Sequence, residues 1–453
     1  MKKKNSRFIA IETLHQLDRS KVPLPILFQK ICSQHQITGS DRALAMNLIY
    51  GVLRQYQYLD LLINKLCRQP LRKLHPLVHR GLAVGLYQTV FLSRIPESAA
   101  VNETVNAVKA AKVPKRLHGF VNGVLREYLR QQNRLPRPED NDDNNQPVLN
   151  HPSWLTERWA AGFGREEMLA ICRQNNRRQP LTLRVNSAKL DREKYLRQCE
   201  IHNIEAYQCQ YAPAGVILPQ YQGAIQSLPG YGENWFQVQG EAAQLATLLL
   251  GPFRLQGRYL DGCAGLGGKT GHLLQLLTEY QAELTAIEPE PHRYEKLQDS
   301  FKDELALNRI TLFRGKLQDY ARRSPSPYDG ILLDAPCSGT GVTGRQPDIR
   351  WRRKPADISR YAVIQRELLE TASSLLLPGG VLIYATCSLE PEENKDVIDA
   401  FLAKYPKFTL EDCTPYLPAG AAPLVRAGCF HPRPSDKLDG FFAARLVRRR
   451  ISA

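Results

Sequence analysis

The sequence predicts three structural units in one chain: an all-α helical domain, a small α+β module, and an α/β doubly wound domain. Three observations lead there. The first 135 residues space their apolar side chains at three and four with little β-branched alternation. Residues 136–146 are polar, punctuated by proline and without any apolar period. From about residue 235, short apolar strands alternate with helices. At 453 residues the chain also exceeds what one hydrophobic core organises. The expected boundaries are 1–135 for the helical domain, 136–150 for a linker, 151–230 for the small module and 231–453 for the α/β domain.

In the helical domain, residues 41–53 carry the clearest helical period, with Ser40 or Asp41 available as a cap. Similar patterns recur at 59–66, 79–92, 101–111 and 120–129. The charge is concentrated here. Of the net +16, residues 1–135 hold 22 Lys+Arg against 7 Asp+Glu, and the remaining residues are nearly balanced at 39 against 38. Scattered charge would read as a solvated face, but an excess of this size on one small domain fits a polyanion whose counterions are released on contact. A nucleic acid is the partner this implies.

In the module, residues 151–175 read as a helix and 180–186 alternate as a strand. Arg173, Arg177, Arg178 and Arg184 either meet RNA or form a solvated edge. In the α/β domain, strands are expected at 258–261, 284–287, 310–313, 330–334 and 381–385, with a helix at 361–376. Ligands of such sheets bind beyond the carboxyl ends of the strands. Gly265, Glu288, Asp334, Cys337 and Cys387 all fall there.

The loop Asp261-Gly-Cys-Ala-Gly-Leu-Gly-Gly-Lys-Thr270 has Cys263 where a P-loop needs its first glycine, which excludes that reading. A dinucleotide fingerprint is matched only weakly, since Thr270 stands at the third glycine. S-adenosylmethionine is the third option, with Glu288 about twenty residues on for the ribose hydroxyls. The loop alone does not separate these adenosine cofactors.

The cysteines narrow the chemistry. Ten are present, without a Cys-x-x-Cys pair or a Cys/His cluster, so free thiols and no metal are expected. Cys337, in Asp334-Ala-Pro-Cys337, and Cys387, in Ala385-Thr-Cys-Ser388, both follow strand ends. Methylating carbon 5 of cytosine requires a thiolate to add at carbon 6, a group to handle the proton, and a hydrogen-bonding partner at the ring edge. Cys387, Cys337 and Asp334 are candidates for these tasks, with Lys269 as a neighbour that favours a thiolate. A lone buried cysteine would read as packing; two, at adjacent strand ends, read as catalytic. The basic start is followed by an apolar stretch broken by Glu12 and His15, and no apolar run reaches membrane-spanning length, so a cytoplasmic protein is expected.

The segments Cys263 to Thr270, Leu333-Asp-Ala-Pro-Cys-Ser-Gly-Thr-Gly341, Pro347-Asp-Ile-Arg-Trp351, Tyr384-Ala-Thr-Cys-Ser388, Glu390-Pro-Glu-Glu-Asn394 and Asp439-Gly-Phe-Phe442 resemble those of the RNA 5-methylcytosine methyltransferases of the Sun/NOL family. Leu48-Ile-Tyr-Gly-Val-Leu-Arg54 and Val121-Asn-Gly-Val-Leu-Arg126 resemble the NusB-like RNA-binding domain. The resemblance covers nearly the whole chain and implies a Rossmann-like domain that uses S-adenosylmethionine to methylate small-subunit (16S) ribosomal RNA, most simply as a monomer. It implies that Cys387 attacks carbon 6, that Cys337 assists release, and that Asp334 hydrogen-bonds the cytosine. Cys263, Ala264, Gly265, Leu266, Gly267, Gly268 and Lys269 would hold the cofactor, with Glu288 on its ribose and Asp334 also lining the site. The chain departs from the family pattern in two places. Gly265-Leu266 replaces Ala-Pro, which loosens the turn, and Lys316 replaces an acidic residue, a place Asp319 could fill. Transfer RNA as substrate, or an RNA-binding assembly factor with impaired cofactor binding, are the alternatives.

Overall fold

The computed structural model describes residues 5–141, 145–435 and 437–450; the lysines at 2–4 and residues 142–144 of the expected linker lie outside these. By its internal contacts the chain divides into two units, Met1–Arg177 with Gln346–Trp351, and Arg178–Arg345 with Arg352–Ala453.

The first unit is helical, as expected of residues 1–135, and it also takes in the helical segment 151–175 that the sequence assigns to the small module. Its helices are Ser6–Leu17, Leu24–Gln34, Gly39–Arg54, Tyr56–Leu66, Pro76–Phe91, Glu97–Ala110 and Arg116–Gln131, followed by Ser153–Phe163 and Arg165–Asn176. The segment read as one helix over 151–175 is thus two, broken at Gly164, whose φ of +87° no helix accommodates. The cap expected at Ser40 or Asp41 is instead Thr38, which makes no side-chain cap bond. Asp41 lies in the first turn, where its carboxylate accepts a 2.6 Å hydrogen bond from Ser6. The pentapeptide Pro347–Trp351 belongs to this unit. The buried Arg350 donates to the carbonyls of Asn150 and Asn175 and to Oδ1 of Asn176, and the Trp351 indole donates to the carbonyl of Leu53.

The second unit begins with a four-stranded antiparallel sheet formed by β1 (Leu181–Val185), β2 (Tyr207–Gln208), β3 (Gly215–Leu218) and β4 (Phe236–Val238), in the order β2-β3-β1-β4. The doubly wound domain follows, with β5 (Arg258–Asp261), β6 (Glu283–Glu288), β7 (Ile310–Arg314), β8 (Tyr328–Asp334), β9 (Leu376–Thr386), β10 (Phe408–Glu411), β11 (Val425–Arg426), β12 (Cys429–Phe430) and β13 (Phe442–Arg448). Strands β7-β6-β5-β8-β9 run parallel. β13 then lies antiparallel to β9, and its other edge carries β10 and β12. The parallel strands read as continuous apolar runs because both faces are covered. In β8, Leu332 faces one core while Ile331 and Leu333 face the other; in β9, Ile383 and Ala385 alternate likewise with Leu382 and Tyr384.

The chain leaves β5 toward β6 and β7, then crosses back to β8 and β9. The order therefore reverses beside β5, and a crevice for ligands forms beyond the carboxyl ends of β5 and β8. Among the described residues, no helix is long and apolar enough to cross a membrane.

Candidate active site

The glycine loop leaves β5 through Asp261. This carboxylate is buried and accepts hydrogen bonds from the Cys263 amide and from the Thr270 hydroxyl (2.7 Å), closing the loop on itself. Burial raises its pKa to about 6, more than those two bonds lower it. The amide of Gly262 donates to the Leu332 carbonyl of β8 and that of Ala264 to the Ile287 carbonyl of β6, so the loop is tied to both neighbouring strands. Gly265 and Gly267 have φ of +59° and +84°, and a Cβ at Gly267 would lie 2.8 Å from Leu297 and Phe301. Glycine at 265 is therefore suited to the left-handed turn at that position. Leu266 is exposed, and the helix Gly268–Leu277 starts at the end of the loop.

The loop has a brace that its own sequence does not reveal. Arg184 of β1, read above as a surface arginine, is buried. It donates to Oε1 of Gln239, to Oε1 of Gln237 and to the carbonyl of Gly268. Burial lowers its pKa to about 9. The alternation in β1 holds, but both faces of that strand are covered, so an arginine on the face opposite Leu183 meets the glycine loop rather than solvent.

Glu288 ends β6, is buried, and accepts the Glu290 amide through Oε1. Asp334 ends β8 and pairs with Lys269 at 2.7 Å. Burial opposes charge on Lys269, but Asp334, with Cys387 and Asp261, outweighs it and raises its pKa; the ammonium also lies over the Phe441 ring. Cys263 sits among Asp261, Asp334 and Glu288; burial first, then those carboxylates, push its thiol well up, so it remains neutral. Lys316 is exposed, and Asp319, also exposed, pairs with Arg322.

The two cysteines singled out from sequence meet. Sγ of Cys337 and Sγ of Cys387 are 3.0 Å apart, and Asp334 lies opposite Ala385 in the β8–β9 register. The hydrogen bond with Cys387 raises the Cys337 thiol most, followed by burial. All ten cysteines are free, and among the described residues no group of three or more His, Cys, Asp or Glu is placed to hold a metal ion. The loops bearing the two thiols are joined at backbone level. The Gly341 amide donates to the Cys387 carbonyl at 3.0 Å, and the Gly440 amide to the Gly341 carbonyl at 2.9 Å. The Asp439–Phe442 motif thereby reaches the site, with Asp439 held by Arg345.

This donor set fits an adenosyl cofactor: a glycine turn open to backbone approach, an acid at the end of the adjoining strand, and an acid–lysine pair facing both. The comparisons with known proteins agree. A model described as 16S rRNA methyltransferase RsmB/F matches residues 248–447, the NusB family matches 4–130, and the ferredoxin-like domain of RsmF/B-like methyltransferases matches 151–224. Ribosomal RNA small subunit methyltransferase B of Salmonella newport (strain SL254) is 35% identical over 99% of this chain and 100% of its own length. The crystal structure of PH0851 superposes with a TM-score of 0.74 at 25% identity, covering 97% of this chain and 98% of that one. NSun6 from Pyrococcus horikoshii, solved with SFG, shares the fold (TM-score 0.56, 21% identity, 66% of this chain, 99% of that one).

Proposed function

Because the chain belongs to the 16S rRNA methyltransferase RsmB/F family, we propose that it methylates carbon 5 of a cytosine in small-subunit ribosomal RNA through a transient bond between Cys387 and carbon 6. Family membership makes the chain a ribosomal RNA methyltransferase dependent on S-adenosylmethionine. The observation that supports the finer reading is the pair of thiols 3.0 Å apart beside the Lys269–Asp334 ion pair.

Carbon 5 of cytosine does not react with a methyl donor until electron density is placed on it. The Cys387 thiolate does this by adding to carbon 6. Lys269, whose pKa is raised chiefly by Asp334 against its burial, keeps its ammonium charge beside this sulfur. Asp334 hydrogen-bonds the edge of the ring and fixes it over the sulfur. S-adenosylmethionine, when bound, supplies an electrophilic methyl group; Cys263 through Lys269 and Glu288 hold it, Glu288 with the carboxylate oxygen that the Glu290 amide leaves free. The adduct resolves when solvent water in the crevice takes the proton from carbon 5, the 5,6 double bond re-forms with that electron pair and the sulfur of Cys387 departs as a thiolate. Cys337, kept as a thiol, donates its S–H to the departing thiolate. The target base must be single-stranded or flipped out to reach this crevice. The basic helical unit docks the RNA.

The test is transfer of label from radiolabelled S-adenosylmethionine to deproteinised small-subunit ribosomal RNA, followed by digestion to nucleosides. Label is expected in 5-methylcytidine and is expected to vanish in Cys387→Ala. Label in another nucleoside, or turnover retained in Cys387→Ala, overturns the proposal; label entering transfer RNA alone would move the substrate assignment.

A further inference from the structure

Each of the two cysteines is followed by a serine, and both serines converge on one buried carboxylate. Glu393 is fully buried. Its Oε1 accepts from the Ser338 amide at 2.8 Å and from Nε2 of Gln365 at 3.0 Å; its Oε2 accepts from the hydroxyls of Ser338 and of Ser388, the latter at 2.5 Å. The clasp extends outward from there. Gln365 also donates to the Pro336 carbonyl, Arg353 to the Ser338 carbonyl, and Nδ2 of Asn394 to the Ser388 carbonyl. No polar atom of Glu393 is directed at the crevice: its two oxygens serve Ser338, Ser388 and Gln365.

We propose that Glu393 is a positioning residue that fixes the separation of the Cys337 and Cys387 sulfurs by binding the residue after each, and so governs release of the methylated base. This rests on the two-thiol reading above. Ser338 and Ser388 belong to different strand ends, 50 residues apart, and their hydroxyls are 3.2 Å from one another. Glu393 is the group that holds both. Four donors converge on two carboxylate oxygens, so an amide at 393, itself carrying a donor, sets donor against donor on one side of the clasp. With that side released, the Cys337 loop moves away from Cys387. Addition at carbon 6 needs only Cys387 and survives better than release, which needs both sulfurs.

The test uses the full-length Glu393→Gln and Ser388→Ala proteins, the second a smaller lesion in the same clasp should the first fail to fold. Two readouts are taken. The first is independent of RNA chemistry: diamide, an azo oxidant, takes one hydrogen from each thiol to become the hydrazine as the 337–387 disulfide forms, and the cross-linked peptide is followed by mass spectrometry. Cross-linking is expected to slow by about tenfold or more in Glu393→Gln, the worth of one buried charge-assisted hydrogen bond. The second is the gel-stable RNA adduct, expected to accumulate in both variants while S-adenosylhomocysteine affinity is unchanged. Unchanged cross-linking in folded Glu393→Gln and Ser388→Ala overturns the positioning role. Slowed cross-linking with no adduct in these variants, in Cys337→Ala or in the parent keeps the positioning role and overturns the two-thiol reading on which its link to release depends.

Discussion

Gly341→Ala tests whether the site depends on backbone contact between its loops. An added Cβ at residue 341 would stand 2.3 Å from the Gly440 carbonyl oxygen, 2.7 Å from its carbon and 3.0 Å from the Cys387 carbonyl oxygen. Close carbon–oxygen contacts begin at about 3.3 Å, so the segments must part by about 1 Å. All the clashing atoms are backbone, so no rotamer change relieves them. The strain corresponds to about 1–3 kcal/mol, as for other overpacked sites, and to a Tm lower by about 2–4 °C per kcal/mol in a unit of this size. The larger effect is on rate. A displacement of about 1 Å at the Cys387 carbonyl misplaces the thiol proposed as nucleophile and lowers kcat on the order of 100-fold. Single-turnover methyl transfer, thermal unfolding and cofactor titration separate these effects. The expected result is a folded protein with near-parental cofactor affinity and a collapsed rate. A folded variant turning over like the parent would show that the loops yield there without consequence, and the reasoning would fail.

Three further outcomes are expected. Asp261 has a folded pKa of about 6, above its unfolded value of about 3.9. The folded state therefore holds more protons between these values, and the stability this group contributes at low pH is lost as pH rises through about 6, to the extent of about 2–3 kcal/mol; denaturant melts from pH 4 to 7 should show a flatter profile in Asp261→Asn. Replacing the exposed Lys112, Lys115, Arg116 and Arg126 with glutamine should reduce the slope of log affinity against log salt for single-stranded RNA by about 3, as read by filter binding; an unchanged slope would return that charge to solvent. Gly123→Ala, in the helix Arg116–Gln131 with open space around its added carbon, should raise stability by about 0.4–1 kcal/mol, as seen in thermal melts.

The parts of this protein readable from sequence are those whose signal is local. The strand–helix alternation from residue 258 onward and the apolar runs of β8 and β9 announce a parallel sheet, because strands covered on both faces need continuous apolar residues. The Cys337 and Cys387 loops were placed at adjacent strand ends by that topology alone. What escaped is non-local or very short. β2, β11 and β12 have two residues each and carry no period. Arg184 reads as one of a run of arginines, and only the packing of the small sheet against the glycine loop shows that it is buried. Glu393 lies in the Glu390–Asn394 segment, yet its bonds to Ser338 join positions 55 apart; the repeated Cys-Ser dipeptide is the one local sign of that clasp.

The place of β13 bears on how this enzyme is made. The strand pairs along β9 from Phe442 opposite Thr386 to Val447 opposite Val381, and Gly440 just before it hydrogen-bonds the Cys337 loop. The ribosome thus delivers the helical unit and the five parallel strands before the strand that closes the sheet beside β9. A chain that has emerged only as far as β9 would lack both the strand that covers the free edge of β9 and the Gly440 bond to the Cys337 loop, so one segment completes the sheet and the loop geometry together.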